Sequence, residues 1–214
     1  MTISSSARPV LGRGAVARVL RGLLAILIVA ALAVAYVSIN FFFYFTVLSN
    51  ILAAVLLAGQ TIRPGWMSSN GTFRGAVTLY MSITGMVYAV LLRPIEADVG
   101  LSDPWINYVL HTLGPATLLI DWLLFPPERR LARNALWTWL VFPAVYLAVT
   151  LIRGPIADWY PYPFLDPREA GYGSVAAYSA AVLVVFVAVG AFLKWWADRR
   201  GSAHLAVASP SEAR

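Results

Sequence analysis

The chain has no cysteine and only two histidines, His111 and His204, among 214 residues. The first absence excludes disulfide staples, thiolate nucleophiles, iron–sulfur clusters and Cys-ligated zinc, and it leaves the redox compartment unreadable. The second excludes a His-rich metal site. Charge is scarce too: Asp, Glu, Lys and Arg make up 12% of the residues against 60% hydrophobic ones, with a mean hydropathy of +0.72. A soluble domain carries about twice that charge, so the solvent of this chain is a lipid bilayer. The net charge of +6 would suit nucleic acid, but the basic residues are scattered between apolar runs without an interleaved basic and aromatic patch. No nucleic-acid partner is expected.

A membrane-crossing helix needs about 20 mainly apolar residues. Six such runs are present: Ala15–Ser38, Tyr44–Ile62, Phe73–Leu92, Ile106–Phe125, Ala135–Ile152 and Ser174–Trp196. Turn chemistry separates them, at Asn40 to Phe43, Arg63-Pro64-Gly65, Arg93-Pro94 through Asp103-Pro104, Pro126 to Arg130, and Arg153-Gly154-Pro155 onward to Gly173. The expected fold is all-α, a polytopic membrane protein of six transmembrane helices. Residues 1–14 form an N-terminal tail, 15–196 the transmembrane domain and 197–214 a C-terminal tail. The first apolar stretch, Gly22 to Ile39, exceeds a usual signal-peptide core, so it reads as a span.

Orientation follows from Lys and Arg, which are retained on cytoplasmic flanks. With the N-terminus inside, 13 basic residues fall on inner flanks and 3, Arg93, Arg153 and Arg168, on outer ones. Both termini are therefore cytoplasmic. Aromatic rings prefer headgroup depth. They fall at the outer face as Phe41 to Tyr44, Trp105, Tyr108, Trp159, Tyr160 and Tyr162, and at the inner face as Trp66, Trp122, Trp137, Trp139, Trp195 and Trp196.

Polar groups inside hydrocarbon need a partner or a purpose. The second run carries Thr46, Ser49 and Asn50; the fourth carries Asn107 and His111 one helical turn apart, then Asp121. By helical rise Thr46 lies about 5 Å and His111 about 9 Å below the outer entry. At one depth, a hydroxyl and an imidazole can act as nucleophile and general base, provided their helices are neighbours. Asp121, about 15 Å from His111 along the axis, suits pairing with Arg129, Arg130 or an inner-loop arginine. Asn107, or Asp158 and Asp166 from the outer loop, are candidates to hold the ring. Asn50, Asn107, Tyr146, Trp159 and Tyr162 are candidate substrate contacts. On the bland reading Thr46 bonds its own helix and the asparagines tie helices together.

Three blocks carry a resemblance. Tyr44-Phe45-Thr46-Val47-Leu48-Ser49-Asn50, then Ile106-Asn107-Tyr108-Val109-Leu110-His111-Thr112 with Pro115 and Asp121, then Trp159-Tyr160-Pro161-Tyr162-Pro163-Phe164-Leu165 are similar to motifs of the androgen-induced protein family of six-helix membrane proteins. Its animal members are hydrolases of fatty acid esters of hydroxy fatty acids, with a membrane-embedded Thr nucleophile and an essential His. The resemblance implies Thr46 as the nucleophile and His111 as the base, a lipid-like ester as substrate, and neither metal nor cofactor. Bacterial relatives imply a multi-pass protein of a bacterial plasma membrane. Tyr108 stands where the family pattern has its first histidine. Two other readings stay open: a transporter or channel, which would favour midplane charges or inverted repeats, and a non-catalytic lipid-binding scaffold.

Overall fold

The computed structural model describes residues 13–63, 70–95, 103–127 and 130–207, with the side chains of 13 and 201–207 left out. Trp66, Glu96, Asp98, Arg129, the His204 side chain and the tails through 12 and from 208 lie outside the described residues. Among the described residues there are no strands. Six helices run back and forth: α1 (Arg13–Ala35), α2 (Phe45–Ile62), α3 (Gly71–Val87), α4 (residues 104–124), α5 (Ala135–Ala157) and α6 (Pro167–Val207). Five are long and apolar enough to cross a bilayer, α3 continuing to Ile95 and α6 spanning Pro167–Arg200 with one kink at Gly171, where φ is 72°. The other, α4, is built of Pro104–Tyr108, a π turn Val109–Leu113 and Gly114–Leu124, about 31 Å in all by helical rise. The protein is thus an all-α multi-pass membrane protein.

The side chains facing lipid are apolar, as the bilayer demands: Ile26, Val90, Ile152 and Ile156 are all exposed on the bundle surface. Packing inside divides in two. One cluster joins α1, α2 and α4 around Ile28, Leu57 and Leu118; the other joins α3, α5 and α6 around Leu79, Trp139 and Leu193. The central helix is α3, which packs against α2, α4, α5 and α6.

Both π turns have a cause in the sequence. Pro115 cannot donate a hydrogen bond to the carbonyl four residues back, that of His111, and its ring crowds that carbonyl. The π turn Val109–Leu113 ends just before it. Likewise the π turn Tyr88–Leu92, at the end of α3, precedes Pro94. Widening the turn relieves the clash and rotates the side chains within it. Gly85 then lets the two widened helices meet: a Cβ there would stand 3.0 Å from Pro115 Cβ and 3.2 Å from the His111 carbonyl oxygen.

Several expectations from sequence are corrected. The connection expected from Arg153 to Gly173 starts later, because α5 runs through Pro155 to Ala157, and it contains a short helical turn from Pro167 that is set off from the long part of α6 by the kink at Gly171. Asp158 closes α5 in the left-handed conformation, at φ 47°, one of the few residue types that tolerate it. Trp122 and Trp139 are fully buried rather than interfacial. Their ring N–H groups donate to the carbonyls of Leu193 (3.2 Å) and Thr72 (2.8 Å), satisfying the polar handle that would otherwise draw them to headgroups. Asp121 pairs with Arg21 of α1 (2.5 Å) and Arg74 of α3 (3.0 Å). Arg74, expected on an inner flank, is buried within α3 and also donates to the Asp121 carbonyl (2.9 Å) and the Phe125 carbonyl. The Asp121 carbonyl also accepts from the Phe125 amide at 2.9 Å, and a cation at this C-terminal end of α4 complements the helix dipole.

The outer loop is seated on α5 through one glycine. Gly154 receives the ring of Tyr160, and a Cβ there would lie 2.0 Å from Tyr160 Cε1 and 2.2 Å from Cζ. Gly154→Ala is therefore expected to unseat the loop and cost about 1–3 kcal/mol, the usual penalty of overpacking a rigid contact. A lower melting temperature in detergent together with faster proteolysis between residues 158 and 166 is the expected readout.

Candidate active site

Thr46 is the second residue of α2 and is 8% exposed. The first turn of a helix leaves amide N–H groups without intrahelical partners, and the amide of Thr46 donates instead to the hydroxyl of Tyr162 in the outer loop, at 3.2 Å. The two side-chain hydroxyl oxygens lie 3.4 Å apart. The hydroxyl of Thr46 is thus directed to the loop. The loop itself is stiffened by Pro161 and Pro163 and by ring contacts: Tyr162 stacks on Phe164 at 5.1 Å and meets Tyr44 edge-on at 5.6 Å. Burial holds the Tyr162 phenol above its ordinary range, so it keeps its proton and can donate it.

His111 lies in the π turn of α4, also 8% exposed. Its Nδ1 is 3.3 Å from the Asn107 carbonyl. A carbonyl only accepts, so this contact favours the tautomer with the proton on Nδ1, the one that leaves the Nε2 lone pair for a base. Asn107 therefore orients the ring through its backbone carbonyl. Tyr88, from the π turn that ends α3, stacks on the imidazole at 4.4 Å and 20°. Asp158 and Asp166, weighed as partners for the ring, are bonded to Arg168 instead, at 2.8 Å and 2.5 Å. That pairing holds the Asp166 carboxyl below the usual carboxylate range.

Helices α2 and α4 are neighbours. Asn50 makes the joint: it is fully buried, and its Nδ2 donates to the carbonyls of Thr46 (2.9 Å) and Leu110 (3.1 Å). It lines neither cavity described below, which makes it a tie between helices.

Two cavities meet at Thr46. The more polar of the two, about 560 Å³, lies under the outer loop; apolar side chains such as Val37, Phe41 and Leu110 share its wall with Thr46, Asn107, His111, Tyr160, Tyr162, Asp166 and Glu169. An apolar one of about 320 Å³ runs between α3, α5 and α6, lined by Phe45, Ile83, Val87, Leu147, Phe186 and others, with no charged side chain on its wall. Thr46, Leu92 and Tyr162 belong to both walls. Tyr146 borders the apolar cavity and donates to the Phe43 carbonyl at 2.9 Å. Trp159 lines neither; it packs edge-on against Tyr44 at 5.5 Å and beneath the Arg153 guanidinium.

The sequence reading missed Tyr88 as a neighbour of His111, and the acidic wall of the polar cavity. Pro94 and Pro115 were the available signals for the first, since each forces the turn that rotates a ring inward. Among the described residues no group of three His, Cys, Asp or Glu side chains is arranged to hold a metal ion.

A family model described as FAR-17a/AIG1-like protein matches residues 78–195, more than half of the chain. The match includes His111 and Tyr162, while Thr46 precedes it. No curated protein and no solved structure matches.

Proposed function

The chain belongs to the FAR-17a/AIG1-like family, and from that premise we propose that it is an intramembrane hydrolase of lipid-like carboxylic esters, with Thr46 as nucleophile and His111 as general base. One observation carries the reading: Thr46 stands in the wall between an apolar cavity and a polar one, and His111 lines the polar one beside it. An ester of this kind has the same division, an apolar chain joined to a polar reacting group.

The chemistry runs in two balanced halves. Thr46 Oγ1 attacks the ester carbonyl carbon as its proton passes to His111 Nε2; the bond from that carbon to the alcohol oxygen breaks, and the imidazolium returns the proton to the leaving oxygen. Water then attacks the acyl-threonine while His111 takes its proton, and Thr46 departs with that proton restored. The products are a carboxylic acid and an alcohol. The developing oxyanion forms near the first turn of α2, whose amides and dipole favour negative charge, and near the Tyr162 hydroxyl.

A fluorophosphonate probe added to the full chain in detergent is expected to label Thr46, with labelling lost in Thr46→Ala and slowed in His111→Ala. Labelling elsewhere, or ester turnover intact in both variants, overturns the proposal and leaves a scaffold or a transporter. Tyr162→Phe keeps the ring and removes only the hydroxyl. It is expected to lower kcat about 10²–10³-fold with KM little changed, the usual loss of one oxyanion donor, read by steady-state kinetics on a soluble ester.

A further inference from the structure

We propose that the site selects esters whose alcohol half is neutral or cationic, with the acyl chain in the apolar cavity and the alcohol half in the polar cavity, and that it discriminates against alcohols bearing a free carboxylate. This rests on the hydrolase reading and adds to it which half of the substrate goes where, and what charge that half carries.

The orientation follows from where the proton must go. His111 borders the polar cavity and not the apolar one. The same imidazole protonates the leaving alcohol oxygen and later deprotonates water, so both must be on its side of Thr46. The acyl group stays attached to Thr46 between those steps, and the space remaining for its chain is the apolar cavity between α3, α5 and α6. That cavity suits a hydrocarbon chain and would penalise a charge, since nothing on its wall could pair with one.

The charge preference follows from the wall of the polar cavity. Asp166 and Glu169 both contribute to it. The basic residues of the outer flank are Arg93, Arg153 and Arg168. Arg168 is committed to two carboxylates, Asp158 and Asp166, which leaves that trio with a net negative charge beside Glu169. Arg153 is turned away, donating to Asn40 Oδ1 at 2.7 Å and lying over the Phe43 ring. Arg93 lies on neither cavity wall. A carboxylate on the alcohol half would therefore enter a field of its own sign with no guanidinium or ammonium group among the described residues of the wall to receive it. The resemblance to hydrolases of hydroxy fatty acid esters implies such a carboxylate; the charge on this wall opposes it.

Three matched substrates test the proposal: the decanoyl ester of an ω-hydroxy fatty acid, its methyl ester, and the decanoyl ester of the corresponding ω-trimethylammonium alcohol. Hydrolysis by the full chain in neutral detergent micelles is followed at low ionic strength. The expected result is kcat/KM at least about tenfold higher for the neutral and cationic esters than for the free acid. That gap narrows when salt is raised, because exposed charges are screened, and it narrows or reverses in Glu169→Lys. Equal or faster hydrolysis of the free acid overturns this inference and leaves the hydrolase reading standing. Hydrolysis of none of the three, with no probe labelling at Thr46, overturns both. Should Glu169→Lys fail to fold, Glu169→Gln and the salt series give the same decision.

Discussion

Thr46→Ala is expected to reduce ester turnover by at least about 10³-fold, and His111→Ala by about 10²–10⁴-fold. A threonine hydroxyl keeps its proton at neutral pH, so attack requires a base positioned to take that proton as the bond forms. Removing either member leaves the remaining one without a task, and the double variant is expected to lose little more than the worse single one. Additive losses would mean that the two side chains act separately. Thr46→Ser retains the hydroxyl and should retain measurable turnover; an inactive serine variant with normal probe labelling would indicate that the methyl group positions the oxygen. Turnover of a soluble ester by each purified variant, normalised to folded protein, reads all four outcomes.

The second large effect is on stability. Asp121→Ala is expected to destabilise the folded protein by about 3–5 kcal/mol, because removing one member of a buried charge cluster strands the others. Here two are stranded. Arg21 and Arg74 share that carboxylate, from α1 and α3, and Arg74 is buried. Asp121→Asn keeps the shape and loses the charge, so it should fall between wild type and alanine. Arg74→Met, which removes one cation and leaves the Arg21 to Asp121 pair, should cost less than Asp121→Ala. Thermal unfolding in a fixed detergent compares the series. The cluster joins α1, α3 and α4 at the end of the bundle away from Thr46, so these variants should lose stability before they lose catalytic rate per folded molecule. An Asp121→Ala protein as stable as wild type would mean that the arginines find water or headgroups instead.

Much of the candidate site could be picked out in the sequence, for reasons specific to its residues. Thr46 and His111 stand out because polar side chains in hydrocarbon are costly and few, and their depth follows from helical rise alone. Asp121 could be ruled out as a third member for the same reason, by counting residues along one helix. Asn50 and Asn107 were equally visible, and tying helices and holding the ring were both readings the sequence offered, but which atoms do so was not legible. The Asn50 amide reaches a carbonyl on another helix, and Asn107 holds His111 by its backbone, which every residue possesses. Tyr88 belongs with the same lesson. Its stacking on His111 depends on two π turns facing each other, and a proline marks where a turn must widen without saying what the rotated ring will meet.

Trp122 and Trp139 show the limit from the other side. Their position at the inner helix ends fits an interfacial anchor, yet both are wholly enclosed. The same residue type serves either place, depending on whether a carbonyl is at hand for its N–H.

By itself, the sequence determined that this chain lives in a bilayer, that it crosses as a series of apolar helices, and how far along those helices its rare polar groups stand. Each of these is a sum of local transfer free energies and helix lengths. Which helices are neighbours, and so whether a hydroxyl and an imidazole share one cavity, was decided only in the tertiary structure. Lipid tails solvate a leucine as well as another helix does, so apolar pattern cannot choose the partners. The close approach at Gly85, the shared carboxylate of Asp121 and the reach of Asn50 make that choice, and they exist only once the helices have met.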